Sequence, residues 1–435
     1  MHIYFSGIGG SGLSAMAQFC LDLGFEVSGS DMEKNENTDI LIARGVNICI
    51  PQLEVNISKV HLEKKIDWFV YTPSVNSKNV EFQFAKVKGI KMSKQNELLN
   101  YILKEKELKM IAVAGTHGKT TTTGMVVWLF EKLNIPVSYV VGTNLPFGPS
   151  GKYTAWSKYF VYEADEYDKK FLELSPEISI VTSLDFDHPD TYVSRKDYFN
   201  SFNQFISQTK NNTFLWRDDF DKLDSDISVL QDKEQNAKVN IFEKNKGITI
   251  KLSGLHNRQN GFLAAQAVSK ATSLEVPNLY HFLADFPGTQ RRMEKLSSLL
   301  YSDYAHHPVE IKATIQMAKE IMVLQEIDEK KLVVVYQPHQ NIRQHEIQSE
   351  YVKCFDMADE VYWLPTFLTR EKEGLSVLTP EDLIKNISPE DRQKIRISDL
   401  GVELIEVLKQ EMANGNLVLV MGAGTIDKWA REGLV

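Results

Sequence analysis

Between Ile111 and Thr123 the chain reads Ile-Ala-Val-Ala-Gly-Thr-His-Gly-Lys-Thr-Thr-Thr-Thr, and no other stretch restricts the fold and chemistry as far. The apolar run Ile111 to Ala114 reads as a buried strand, and Gly115 to Gly118 must turn sharply. Lys119 opens a helix that continues through Met125 to about Leu133. A tight glycine turn between strand and helix aims backbone N–H groups and a helix N-terminus at one point, which suits a phosphate. Gly115, Thr116, Gly118 and Thr121 form the cradle, Lys119 reaches the outer phosphates, and the Thr120 hydroxyl is a ligand for Mg²⁺. Val113 stands where the usual pattern has its first glycine, so the loop is a shortened variant. The pattern predicts a protein that binds a nucleoside triphosphate, ATP with Mg²⁺.

At 435 residues the chain is too long for one core. Strand-like and helix-like runs alternate in three blocks: residues 1–107, 108–293 and 294–435. Alternation throughout predicts an α/β fold with three domains and mostly parallel sheets. The expected architecture is Rossmann-like at both ends around a central phosphate-loop ATPase. Predicted strands include Glu26 to Ser30, Trp68 to Thr72, Tyr159 to Ala164, Ser179 to Ser183, Leu332 to Tyr336, Glu360 to Leu364 and Leu417 to Met421. Helices are expected over Leu13 to Leu23 and about Lys196 to Thr209, and Lys104 to Lys109 is expected as a linker. The polar stretch Asn211 to Lys251 is expected to form hairpins or excursions at a domain edge.

Fifty-eight acids against 49 bases give a net charge of −9, with no basic stripe, which argues against nucleic acid as a partner. No apolar run reaches membrane-spanning length, and the N-terminus opens on a strand without a charged leader. Cys20, Cys49 and Cys354 are scattered, with neither disulfide nor zinc spacing. A reducing, cytoplasmic setting is expected, as a monomer or homodimer.

A second glycine loop, Gly7-Ile8-Gly9-Gly10-Ser11-Gly12, lies between a strand and a helix, and Asp31 follows at the end of the next strand. This is a dinucleotide fingerprint by spacing, yet such a loop recognises a pyrophosphate and does not say whose. A nicotinamide cofactor and a nucleotide-sugar diphosphate both fit. Two acidic clusters follow predicted strands: Glu163-Ala-Asp165-Glu166-Tyr-Asp168, and Asp185-Phe-Asp187-His188-Pro-Asp190. Strand ends in a parallel sheet share the edge where ligands collect, so both clusters fall at the mouth of the phosphate loop. Carboxylate oxygens suit Mg²⁺. Glu163 and His188 are the candidate metal-site residues, with Asp165, Asp187 and Asp190 as supporting acids. Adjacent His306 and His307 before Pro308 read equally as site residues or as a cap for the helix that follows.

These motifs occur in a familiar order. The phosphate loop, the two acidic clusters, Leu255-His256-Asn257 with Asn260, Gly288 to Arg292, and Asp303-Tyr-Ala-His306-His307-Pro308 together resemble the Mur ligases, over essentially the whole chain. That resemblance implies an ATP-dependent, amide-forming enzyme of peptidoglycan precursor synthesis that works through an acyl phosphate. It implies UDP-N-acetylmuramate and an amino acid, L-alanine, as substrates. By the same resemblance, Lys119, Thr120, Glu163 and His188 handle phosphates and magnesium. His256, Asn257 and Asn260 surround the adenine, and Arg292 and Asp303 reach the nucleotide. His306 and Arg343 face the incoming amino acid, with His306 near the base that takes the amine proton. Gly7, Gly9, Gly10, Ser11, Gly12, Asp31 and Ser74 bind the UDP substrate. Some relatives carry arginine after the Gln-Pro-His triplet; this chain has Gln340, leaving Arg343 as the remaining guanidinium. The competing readings are a murein tripeptide-recycling ligase, a nicotinamide dehydrogenase, and an NTP-binding regulatory module.

Overall fold

Three separate sheets account for the chain in a computed structural model that describes residues 1–223, 238–244, 248–369, 371–372 and 374–435. The first holds β1 (His2–Ser6), β2 (Glu26–Ser30), β3 (Asn47–Cys49), β4 (Trp68–Tyr71) and β5 (Lys91–Ser93), in the order β3-β2-β1-β4-β5. All its pairings are parallel. The order reverses beside β1, which puts the glycine loop after β1 at a topological switch point, where α/β sheets bind ligands.

The central sheet is built from β6 (Lys109–Ala114), β7 (Val137–Val140), β8 (Gly151–Lys152), β9 (Tyr159–Glu163), β10 (Ile178–Val181), β11 (Asn212–Trp216) and β12 (Lys238–Phe242). Their order is β12-β11-β10-β6-β9-β7-β8, parallel except for the short edge strand β8. The third sheet orders β13 (Glu294–Lys295), β14 (Leu300–Asp303), β15 (Leu332–Tyr336), β16 (Glu360–Trp363), β17 (Ile395–Ile397) and β18 (Leu417–Met421) as β13-β14-β18-β15-β16-β17. Only β13 pairs antiparallel there. Leu332–Tyr336 and Leu417–Met421 are unbroken apolar runs because helices cover both faces of a parallel sheet, and every residue in them is buried.

The expected α/β class with three mostly parallel sheets is the observed one. One local expectation fails. Asn212–Trp216 and Lys238–Phe242 are not hairpin strands; they extend the central sheet in parallel beyond β10. Polar composition disguised β11, whose five residues are all buried. Its polar side chains are satisfied inside, with Thr213 Oγ1 2.8 Å from Ser179 Oγ and Asn212 Oδ1 accepting from Asn240 Nδ2. Of the segment joining these strands, residues 224–237 lie outside the described residues. The charged linker expected at Lys104 to Lys109 is also shorter, since a helix runs over Gln95–Glu105 and β6 starts at Lys109.

The carboxyl ends of β6, β9, β10, β14 and β15 all deliver the loops described next. One apolar core runs from the first sheet into the central one, through Phe19, Met110, Phe160 and Tyr162.

Candidate active site

The phosphate loop needs both its glycines. Gly115 has φ +132° and Gly118 φ +82°, conformations that side chains resist. A Cβ on Gly115 would sit 2.3 Å from Thr182 Oγ1, and one on Gly118 2.8 Å from the amide oxygen of Asn260. The loop therefore fits between the end of β10 and the helix Leu255–Thr272. Thr116 Oγ1 donates to Asp185 O at 2.7 Å, and the His117 N–H donates to Ser183 Oγ at 2.9 Å. The helix Lys119–Lys132 starts directly after Gly118.

Lys119 Nζ donates to Gly115 O (2.6 Å), Thr116 O (3.2 Å) and Glu166 Oε1 (2.9 Å). Burial favours the neutral amine, but Glu166, Asp165 and Glu163 together outweigh it and raise the Lys119 pKa. Glu166 is fully buried; desolvation opposes its charge, yet Lys119 and His188 keep it below the usual carboxylate range. Glu163 at the end of β9 accepts from Thr120 Oγ1 and the Gly142 N–H, both at 2.8 Å. Burial raises its pKa against those hydrogen bonds and the nearby Lys119 and Arg292.

His188, at the left-handed φ of +58°, faces Glu166 (3.6 Å) and Asp187 (3.8 Å). Burial disfavours its charged form, and Asp187 and Glu166 reverse the effect and raise its pKa. Among the described residues no group of three or more His, Cys, Asp or Glu forms a metal cage. The Thr120–Glu163 pair suits Mg²⁺ all the same, since that ion keeps waters and takes one or two protein oxygens beside phosphate.

The third unit completes this surface. Arg343 Nε lies 3.0 Å from Asp187 Oδ1, and Nη2 3.4 Å from Oδ2. Side-chain exposures are 4% and 7%, so the pair is desolvated. Desolvation opposes the Asp187 charge, but Arg343 and the neighbouring histidines hold its pKa well below normal. Asp187 lies beside His188, as expected of a supporting acid, and also carries the bridge to the third unit. Arg343 directs its fork at Asp187 and His339, because a buried guanidinium requires an anionic partner.

Glu310 was not anticipated. It takes His117 at 3.2 Å, Arg292 at 3.8 Å and His306 at 3.4 Å, joining the phosphate loop to the third unit. Burial pushes against its charge, while His306 and His117 draw its pKa well down. The signal for it was present: His307 caps the helix Pro308–Leu324, with Glu310 closing the capping box. His307 thus takes the capping reading. Burial lowers His306 to about 3, so its imidazole is neutral. Its Nδ1 contacts Tyr304 O at 3.0 Å, an acceptor only, which assigns the proton to Nδ1 and the lone pair to Nε2.

A cavity of about 950 Å³ opens beside the loop, lined by Gly118, Thr121, His256, Asn260, Arg292 and Asp303 among others. That size suits a nucleotide. Burial lowers His256 to about 4, and its Nδ1 has no protein partner, which leaves it to a ligand. Asp303 accepts from the Met293 and Ala305 N–H groups at 2.6 and 2.7 Å. Asn257 stays on the helix that carries His256, with its amide donating to Ser253 O.

The first unit is a separate wall. Gly9 N donates to Asp31 Oδ2 at 2.7 Å, so Asp31 shapes the glycine loop as well as facing it. Gly7 has φ +85°, and a Cβ on Gly9 would meet Asn35 and Asp31. Gly10 precedes the helix Ser11–Asp22, whose first residues are Ser11 and Gly12. Ser74 is exposed and pairs with Thr72 Oγ1.

A phosphate loop between two Rossmann-like units, closed over by arginine and carboxylate from the last of them, defines a nucleotide-dependent group-transfer enzyme. Comparison with known proteins makes this specific. Residues 2–107 match "Mur ligase family, catalytic domain", 113–268 "Mur ligase middle domain", and 291–424 "Mur ligase, glutamate ligase domain". The UDP-N-acetylmuramate–L-alanine ligase of Lactobacillus delbrueckii subsp. bulgaricus is 31% identical, with 98% of this chain and 96% of the relative covered. The same-named ligase of Clostridium kluyveri is also 31% identical over 98% and 96%. Among solved structures, the UDP-N-acetylmuramate–alanine ligase of Thermotoga maritima superposes with TM-score 0.75 at 23% identity, covering 100% of this chain and 98% of the other. A murein peptide ligase from Psychrobacter arcticus gives 0.70 at 21%, covering 100% and 98%. The chain belongs to the Mur ligase family, and is an ATP-dependent ligase that joins an acid to an amino acid.

Proposed function

We propose that this chain forms the amide between L-alanine and the carboxylate of UDP-N-acetylmuramate, driven by ATP, in cytoplasmic peptidoglycan precursor synthesis. The observation that carries this reading is the single cavity on which the phosphate loop, the His256–Asn260 helix face and Arg292, Asp303 and Glu310 all converge. The near full-length likeness to the alanine-adding ligases supports the substrate assignment. The units divide at 107/108 and 293/294, with the sugar nucleotide on the first, ATP on the second and the amino acid on the third.

A carboxylate does not condense with an amine in neutral water, because oxide would have to leave. Transfer of the γ-phosphoryl group to the carboxylate oxygen releases ADP and gives an acyl phosphate. The amine then attacks the acyl carbon, and inorganic phosphate departs, taking up the proton that the nitrogen loses. The transferring group is highly charged, so positioning and charge neutralisation dominate. Lys119, kept protonated by its acids, supplies a fixed cation at the loop. Thr120 and Glu163, with His188 behind them, would hold Mg²⁺, which would supply further neutralisation of phosphate oxygens. The neutral amine is the reacting form, and His306 Nε2 orients it as a hydrogen-bond acceptor. An imidazole held near 3 is a poor base, so this role replaces the general-base expectation for His306. Arg292 and Glu310 bring the third unit over the cavity, excluding water from an intermediate that hydrolyses readily.

The test is phosphate release from ATP with UDP-N-acetylmuramate and, in turn, alanine, glycine, serine and the murein tripeptide. Release stimulated most by alanine supports the reading. Preference for the tripeptide makes the chain a recycling ligase, and no stimulation by any amine refutes amide formation.

A further inference from the structure

The sugar-nucleotide loop and the phosphate loop sit on different sheets, so something must fix the distance between them. We infer that Gly151 is the residue that does so, a positioning residue on which the first unit is seated; this rests on the reading above that both units hold substrates of one reaction.

The helix Ser11–Asp22 begins inside the glycine loop and ends against the central sheet. It crosses the short edge strand β8 at Gly151 so closely that a Cβ there would stand 1.8 Å from Ala15 O, 2.6 Å from its carbonyl carbon and 3.1 Å from its Cα. These are backbone atoms, so no side-chain rotation relieves the clash. Any other residue forces the helix back by about an ångström or more before ordinary contact is restored. The seat is built on both flanks. Gln18 Nε2 donates to Ser150 Oγ at 2.9 Å, both buried, and Tyr153 N donates to Asp22 Oδ2 at 3.0 Å. The Phe19 ring lies 6.1 Å from Tyr153 and 5.1 Å from Phe160.

From this seat a short run of contacts leads to the chemistry. Gly151 pairs with Val140 on β7, and Val141 N donates to Ser150 O at 2.8 Å. The next residue, Gly142, gives its N–H to Glu163, which also accepts from Thr120 beside Lys119. The helix that carries the sugar-nucleotide loop is therefore referenced, through one edge hairpin, to the carboxylate at the phosphate loop. A reaction joining groups from two units is sensitive to their spacing: misplacement by about 1 Å costs about 10²-fold.

The experiment uses the full chain and the variants Gly151→Ala and Gly151→Val, with Lys152→Ala as a neighbouring control. Titration calorimetry measures ADP and UDP binding separately, and phosphate release measures kcat with all three substrates. Each cradle lies within its own unit, so both affinities stay within about twofold of wild type while kcat falls about 10- to 100-fold. A second readout needs no substrate. Hydrogen exchange along the helix Ser11–Asp22 is compared between wild type and Gly151→Val, and is faster in the variant, whose helix has lost its seat. Wild-type kcat in Gly151→Val, unchanged exchange in that helix, or loss of ADP binding in step with kcat, overturns the inference. Failure of the wild-type enzyme to turn over instead refutes the functional reading, and the exchange rates still judge the seat.

Discussion

The bond between Asp187 and Arg343 spans 156 residues of sequence and two folded units, and its strength can be worked from its surroundings. Both groups are nearly solvent-free, at 7% and 4% exposure, and they meet through two N–O contacts at 3.0 and 3.4 Å. Two unit charges about 4 Å apart attract by about 4 kcal/mol at an effective dielectric of about 20. Removing one partner leaves the other buried without compensation, which costs about 3–5 kcal/mol. A solvated pair would be worth less than about 1 kcal/mol. A double-mutant cycle over Asp187→Ala, Arg343→Ala and both together is therefore expected to give a coupling energy of about 2–4 kcal/mol. Asp187 also accepts the His188 N–H at 2.7 Å, so Asp187→Ala is the worse single variant. Urea titration read by hydrogen exchange in the helix Asn341–Ile347 isolates the third unit's contribution. A coupling below about 0.5 kcal/mol would show both charges hydrated in the free protein, and the argument for a dry bridge between units would fail.

Three other outcomes follow from the same geometry. Lys119→Ala keeps the circular dichroism of the wild type but loses about 10²–10³-fold in phosphate release, the scale of deleting one donor to a developing charge; retained turnover removes the loop from the mechanism. Gly118→Ala combines a left-handed φ with a collision against Asn260, and calorimetry is expected to find ADP binding weakened at least tenfold, a loss of about 1.4 kcal/mol. Glu320 accepts a two-pronged bond from Arg258 (2.9 and 3.0 Å) and the Gly254 N–H at 2.7 Å, which hold its pKa down at about 2. A depressed carboxylate stabilises above its unfolded pKa of about 4.3 and loses that benefit as pH falls towards the folded value. With the pair partly exposed, the benefit is below about 1 kcal/mol. Glu320→Gln should thus melt slightly earlier than wild type at pH 7, with the gap closing below about pH 4; a constant gap contradicts the assignment.

What could be read from residues alone depended on how local the cause was. Ile111 to Thr123 announces itself, because strand, turn and helix start are all written within thirteen residues. The glycine loop at Gly7 and the buried runs of β15 and β18 were legible for the same reason. Glu166 is visible in its cluster but carries no role in the sequence reading, which singles out Glu163, since only the fold shows which carboxylate meets Lys119 and which meets Thr120. Arg343 is named by the resemblance alone, and nothing near it in sequence foretells its bond to Asp187. Gly151 gave no signal whatever: it sits in no glycine motif, and its constraint is the backbone of Ala15 from another unit. Glu310 is the intermediate case, since its helix cap was readable but its bond to His117 was not.

Arg292, Asp303, Glu310 and Arg343 all come from the final third of the polypeptide, whereas the phosphate loop is complete by Thr123. During synthesis on the ribosome the residues of this loop emerge some 170 residues before the groups that enclose it, and its seat between β10 and the helix Leu255–Thr272 is supplied in between. A chain cut short of that helix lacks even the seat, and one cut short of Arg292 has the seat without its enclosure.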